Sequence, residues 1–315
     1  MSVVFDKVST REAFGEMLVK MAEEYPNLMY VAADTLKSVG GTPLRNKYPS
    51  RALNIGIAEQ NMALMASGMA ASGAKVFAAS YAVFSSARIC EQIRTFICYP
   101  NLDVKIIAGL GGLSGGQEGV THQGIEDVGI LRSIPNLVIV EAADAASTRV
   151  ITEAITHYTG PVYLRLGRTA SPTVFDETYS FTIGKANLLK EGRQATIFTT
   201  GAAVFRTIEA EKILRKEGYD VRIVEMPTIK PLDEQAVLEA ARETELIFTT
   251  EDHMITGGLG SAVAEILSTQ YPCKLVRIGI DDEFTQTGDH EELLDIYNLH
   301  PDHIASVVKE HIGAR

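Results

Sequence analysis

Glu59 is the first residue whose setting suggests chemistry. It lies in NIGIAEQNMALMASGMAASGA, which starts at residue 54, among Ile55, Ile57, Ala58, Met62 and Met65. No Lys or Arg occurs between 54 and 74. At a helix start such a carboxylate can simply meet the dipole while partly solvated. Held among apolar side chains, it favours its neutral form and can share a proton with a ring nitrogen. Tyr81 and Phe84, three apart in SYAVFSS, suit either a core or a flat platform for a ligand ring. The segment GLGGLSGGQEGVTHQGIED (109–127) has six glycines in its first eleven positions, so backbone amides there can approach a ligand closely. It is neither a dinucleotide fingerprint nor a Walker loop, because no Gly-Lys-Ser/Thr follows. His122, in Thr121-His122-Gln123 at an expected helix start, suits hydrogen bonding or proton transfer near neutral pH. Arg11 follows Ser9-Thr10 at another helix start, where a positive charge opposes the dipole and an anion would relieve it. Arg168 closes the apolar run PVYLRLGR. Either arginine can equally be solvated or ion-paired.

The elements that must position these residues follow from hydrophobic periodicity. The runs LMYVAAD (28–34), AKVFAAS (74–80), VKIIAGL (104–110), LVIVEAA (137–143) and PVYLRLG (161–167) read as buried parallel strands. Helical stretches separate them at 11–25, 86–99 and 145–158. A second alternating set occupies ATIFTTG, YDVRIVEM, LIFTTED and KLVRIGI, and a last helix follows Pro301. The fold class is therefore α/β: two consecutive open, mostly parallel sheets with helices on both faces. The polar, turn-rich stretch after residue 170 marks the boundary. It gives a first domain at 1–175, a linker at 176–190 and a second domain at 191–315. Ligands of open parallel sheets bind beyond the carboxyl ends of the strands. That places Asp34, Tyr81, Phe84, the glycine-rich segment and Arg168 at one edge. The corresponding positions of the second set are Gly201, Pro227 to Pro231, and Glu251-Asp252-His253.

The 315 residues are 46% hydrophobic and 22% charged, a globular composition with room for two domains. A net charge of −11 without a basic stripe argues against nucleic-acid binding, though not against a small anion held by local arginines. No apolar run is long enough for a membrane span, and the N-terminus lacks a signal-peptide layout, so a cytoplasmic location is expected. Cys90, Cys98 and Cys273 lack metal spacing and read as free thiols, buried in the case of Cys90 and Cys98.

Taken together, NIGIAEQNM, SYAVFSSAR, GVTHQGIEDVGILRSIPNL, PVYLRLGR and the late TGDHEELLDIYNL resemble the transketolase family of thiamine-diphosphate enzymes. The likeness covers essentially the whole chain. It is to the second half of a split transketolase, the pyrimidine-binding domain followed by the C-terminal domain. The resemblance implies transfer of a two-carbon ketol unit from a ketose to an aldose. It implies that Glu59 contacts N1′ of the cofactor's aminopyrimidine, sharing a proton there so that the thiazolium C2 can be deprotonated. Phe84 matches the aromatic that stacks on that ring, with Tyr81 and Ile57 beside it, and Asp34 matches an acidic residue on the cofactor side. His122 matches a contact to donor hydroxyls and Glu118 a contact to a substrate hydroxyl. Arg11, Ser38 and Arg168 match positions that hold a sugar phosphate, and guanidinium forks suit that role.

Two departures matter. Leu110 stands where the family usually has a phosphate-loop histidine, twelve residues before His122, so a shorter, branched or sulfonated sugar becomes conceivable. The GDG motif that holds Mg²⁺ and the diphosphate is also missing. The one Gly-Asp pair, Gly288-Asp289, continues to His290. The resemblance thus implies a partner chain carrying that motif, thiamine diphosphate shared between the two, Mg²⁺ ligands on the partner and an α₂β₂ assembly. Within this chain no metal ligand is expected, nor a catalytic residue in the second domain. The β subunit of a 2-oxo acid dehydrogenase, with the same glutamate, is the rival reading. A 1-deoxyxylulose-phosphate synthase fragment is disfavoured by the short chain.

Overall fold

The computed structural model describes residues 8–170, 172–244 and 246–313. The strands are β1 (Leu28–Ala32), β2 (Ala52–Asn54), β3 (Lys75–Tyr81), β4 (Val104–Gly109), β5 (Val138–Glu141) and β6 (Val162–Arg165). They continue as β7 (Asn187–Lys190), β8 (Ala195–Thr199), β9 (Val221–Glu225), β10 (Thr228–Lys230), β11 (Leu246–Met254) and β12 (Lys274–Ile280). They form a seven-stranded sheet ordered β10-β5-β6-β4-β3-β1-β2 and a five-stranded sheet ordered β12-β11-β8-β9-β7. Pairing is parallel except at two edges, where β10 runs antiparallel to β5 and β7 antiparallel to β9.

Strand alternation builds a core on each face of the first sheet. Tyr30, Ala32, Phe77, Ala79, Ile107 and Leu164 point one way, onto Phe14, Leu18 and Met21 of the helix Thr10–Glu24 and Ile151 and Ile155 of the helix Ala145–His157. Val31, Val76, Ala78, Ile106 and Tyr163 point the other way, onto Met62 and Ala66 of the helix Glu59–Ala71 and onto Ile93 and Ile97. The second sheet repeats this plan. Ile197 and Phe248 pack beneath Leu214 and Val308 on one face, while Phe198 and Ile247 meet Val237 and Val263 on the other.

The structure corrects several expectations. The two sheets are not strictly consecutive, since β10 crosses back to pair with β5 of the first sheet. The expected linker at 176–190 holds β7, so the second sheet begins at Asn187 rather than after residue 190. The segment after 54 is not buried throughout. Glu59, Met62, Ala63, Ala66 and Ser67 face inward, whereas Ile57 is 76% and Leu64 41% exposed. The stretch Phe84–Cys98 runs mostly as wide π turns, a form that recurs beside functional sites. The helix expected near Thr121 starts at Asp127. Of the three free cysteines only Cys98 is buried.

Candidate functional site

Every expected site residue of the first half lies at or just beyond the carboxyl edge of the seven-stranded sheet, or at the start of a helix beside it. Glu59 opens the helix Glu59–Ala71 and is 4% exposed. Arg88, itself half-exposed, donates to Glu59 Oε2 at 3.2 Å. This corrects the expectation of a wholly apolar setting: the matching charge comes from the next helical stretch, 29 residues on. No partner among the described residues engages Oε1. The Arg88 guanidinium also lies over the Phe84 ring, 4.7 Å from its centroid. Phe84, Tyr81 and His122 form one ring cluster. His122 stands 5.4 Å from Phe84 and 5.7 Å from Tyr81, both edge-on, and Tyr81 stands 6.2 Å from Phe84. Thr121 Oγ1 lies 2.9 Å from His122 Nδ1 and fixes the ring's azimuth. Residues from the end of β3 and from the glycine-rich loop after β4 therefore meet beside the Glu59–Arg88 pair.

Asp34 follows β1 in the left-handed region, with φ of 60°. Its N–H donates to Asn54 Oδ1 and its carboxylate accepts from Asn54 Nδ2, at 2.9 and 3.2 Å. Gly56 N–H also donates to Asn54, so Asp34 is tied to the turn carrying Ile57 toward Glu59.

A second group gathers around Arg168, which forms an ion pair with Glu118. A cavity of about 200 Å³ lies there, lined by Ser114, Gln117, Glu118, Arg168 and, from the second half, Asp289 and His290. Arg11 approaches the carbonyl of Ser38 at 3.5 Å. Thr10 Oγ1 donates to the carbonyl of Gly167, which ties this helix start to the segment bearing Arg168. The charge misfit expected at Arg11 is met locally, because Glu12 accepts from Ser9 N–H and Oγ–H, and those bonds lower its carboxyl pKa. Leu110 is buried and holds φ of 58°.

Sequence reasoning passed over Arg88 and Arg165. Arg165, 1% exposed, pairs with Asp127 at 3.0 Å and Glu141 at 2.5 Å, and donates to the carbonyls of Gly124 and Asp252. Tyr163 Oη donates to Asp127 at 2.6 Å. Burial raises the Glu141 pKa, and the Arg165 guanidinium counters that rise. A charged residue inside the fully buried strand run VYLR was the available signal, since such a charge demands partners. This network braces the floor beneath the glycine-rich loop.

Comparison with known proteins covers both halves of the chain. The family model described as transketolase, pyrimidine binding domain, matches residues 6–173, and that of the transketolase C-terminal domain matches 184–304. A protein of Methanocaldococcus jannaschii, named as a transketolase C-terminal section, is 40% identical across 95% of both chains. A 6-deoxy-6-sulfo-D-fructose transketolase subunit of Clostridium sp. strain MSTE9 is 35% identical, covering 92% of this chain and 90% of its own. One subunit of an apulose-4-phosphate transketolase from Phocaeicola vulgatus is 35% identical, covering 97% and 98%. A solved split-gene transketolase, an inactive β₄ tetramer, superposes with a TM-score of 0.90 at 40% identity over 97% of this chain and 99% of its own. Matched in order along both halves, the chain belongs to the transketolase family and spans its pyrimidine-binding and C-terminal domains.

Proposed function

We propose that this chain is one subunit of a split transketolase, active with a partner chain, that moves a two-carbon ketol unit from a ketose to an aldose. The observation carrying this reading is the meeting of Glu59, Phe84, Tyr81 and His122 at one sheet edge, with the Arg168–Glu118 ion pair, from the loops after β6 and β4, at the same edge. The transketolase family uses thiamine diphosphate. The residues present fit the aminopyrimidine end of that cofactor. A 4% exposed carboxyl group with one oxygen unclaimed among the described residues is linked through Arg88 to a half-buried aromatic ring. They do not supply the diphosphate end, as the sequence has no GDG motif. When bound, the cofactor supplies the carbon nucleophile that attacks the donor carbonyl. Glu59 would hold the proton at N1′, with Asp34 and Ile57 on the same side. Phe84, with Tyr81 behind it, would fix the ring plane. His122 would orient donor hydroxyls, and Glu118 would meet a substrate hydroxyl. Arg168, Arg11 and Ser38 would receive the distal anion, a phosphate or a sulfonate. Mg²⁺ would be held by the partner. The names of two relatives support a sugar outside the common set, as does Leu110 in place of a polar contact. Ile57 and Leu64, exposed beside Glu59, suit coverage by the partner in an α₂β₂ assembly. A cytoplasmic setting accords with this chemistry. Among the described residues no helix is long and apolar enough to cross a membrane.

The test is a two-carbon transfer assay with and without a partner chain that carries the GDG motif, using thiamine diphosphate, Mg²⁺, phosphorylated and sulfonated ketose donors and a panel of aldoses. Transfer is expected only with both chains present. A mixed complex that binds the cofactor yet moves no ketol unit, and instead decarboxylates a 2-oxo acid, would overturn the reading.

A further inference from the structure

The run Glu251-Asp252-His253, where β11 leaves the second sheet, has no part in the ring cluster, yet all three residues are buried. Each serves a different element. Glu251 accepts from the N–H groups of Leu259 and Gly260 at 2.7 and 2.8 Å, holding the start of the helix Leu259–Gln270. His253 turns to the first domain. Its Nδ1 meets the carbonyl of Met254 at 2.7 Å, and Nε2 accepts from Gly129 N–H at 3.4 Å. Asp252 reaches furthest. Both its oxygens accept from Leu113 N–H, at 3.0 and 3.2 Å, inside the glycine-rich loop.

The loop is shaped to receive that carboxylate. Gly112 has φ of +63°, and a Cβ there would lie 2.1 Å from Asp252 Oδ2. The Leu113 side chain packs into the second domain's core with Ile197, Phe248 and Leu293. Ser114, next in the chain, donates to the carbonyl of Gly111 at 2.7 Å and accepts from Arg168 N–H at 3.2 Å. Gly112 N–H donates to the carbonyl of Gly124 at 2.7 Å, closing the loop two residues beyond His122. A continuous path thus runs from Asp252 through Leu113 and Ser114 to the backbone of Arg168.

We propose that Asp252 is a positioning residue for the substrate pocket. Its carboxylate, supplied by the C-terminal domain, fixes the loop 111–118 and with it the place of Arg168 and Glu118. The contact stands on geometry alone, whereas its effect on a sugar substrate rests on the function proposed above. A backbone N–H bonded to a buried carboxylate is among the stronger neutral–charged hydrogen bonds, and removing the acceptor strands the donor.

Hydrogen exchange on the full chain tests the contact, and kinetics with the partner chain test its consequence. In Asp252→Ala, exchange of peptides spanning 111–118 is expected to rise on the order of tenfold or more, with KM for the anionic sugar rising on the order of tenfold while kcat and cofactor affinity change less. Asp252→Asn keeps the shape and one accepting oxygen. It should show a smaller, several-fold rise in exchange and recover most of the KM. If the alanine variant does not fold, the asparagine variant decides alone: unchanged exchange at 111–118 overturns the proposal. So does raised exchange with unchanged KM, because a purely structural contact would lower Tm and leave KM alone. If the wild-type pair of chains transfers no sugar, the functional reading fails and the exchange result still decides whether Asp252 holds the loop.

Discussion

At the scale of single residues, Glu59 and Arg168 carry the sharpest expectations. Glu59→Gln preserves shape and burial but cannot exchange a proton at N1′. Its kcat should fall by about 100-fold or more while Tm and partner binding stay near wild type. A kcat close to wild type would remove Glu59 from the proton chemistry. Arg168 is partly exposed and, among the described residues, its guanidinium pairs with Glu118 alone, so its loss should cost stability less than about 1 kcal/mol. KM for the anionic sugar should nonetheless rise about tenfold or more, because a forked donor to that anion is gone. An unchanged KM would move the anion elsewhere. Glu59 was legible in the sequence because a lone carboxylate in an apolar window is conspicuous. Arg88 was not, since pairing across 29 residues depends on how two helical stretches cross.

At the scale of elements, the glycine-rich loop and the end of β11 are mutually shaped. Gly112→Ala would place a methyl group on Asp252 and force a β-carbon into positive φ. A loss of roughly 2 kcal/mol or more in urea unfolding is expected, and a loss below measurement would contradict the fit at this turn. The neighbouring Glu251 gives a pH signature. Burial pushes its pKa from 4.5 up to about 7, against the two backbone N–H groups that favour its anion. The folded chain therefore keeps a proton that the unfolded chain has released. The stability this group contributes is complete below about pH 4.5 and is lost as pH rises through about 7. Glu251→Gln, neutral throughout, should lack that decline, and its stability relative to wild type should improve by roughly 2–3 kcal/mol between about pH 5 and about pH 8. Parallel wild-type and variant curves would show that Glu251 does not titrate in this range.

At the scale of the whole molecule, the first domain is finished by the second. β10 covers the edge of β5, Asp252 and His253 engage 113 and 129, and Arg165 donates to the carbonyl of Asp252. A fragment of residues 8–175 would lose that edge strand and leave buried polar groups without partners. It is expected to lack a cooperative thermal transition by circular dichroism, although it contains nearly all of the site residues. A fragment melting as sharply as the full chain would show that the two halves are energetically separate.

Local patterning determined much of this protein. Continuous apolar runs and helical periodicity marked nine of the twelve strands among the described residues and the main helices. The loops after β1, β3, β4 and β6 pointed to the site edge, because in a parallel sheet those loops must share one side. The strands missed, β2, β7 and β10, are three or four residues long and, unlike the equally short β5 and β6, do not sit in a continuous apolar run. The tertiary structure alone decided which charges meet, Glu59 with Arg88, Glu118 with Arg168, and Arg165 with Asp127 and Glu141, and that the Asp252 carboxylate accepts from the backbone N–H of Leu113. The reason is physical. Hydrophobic periodicity is written along the chain, but a buried charge is satisfied by whatever folding brings within about 3 Å of it, and that partner's sequence distance leaves no local trace.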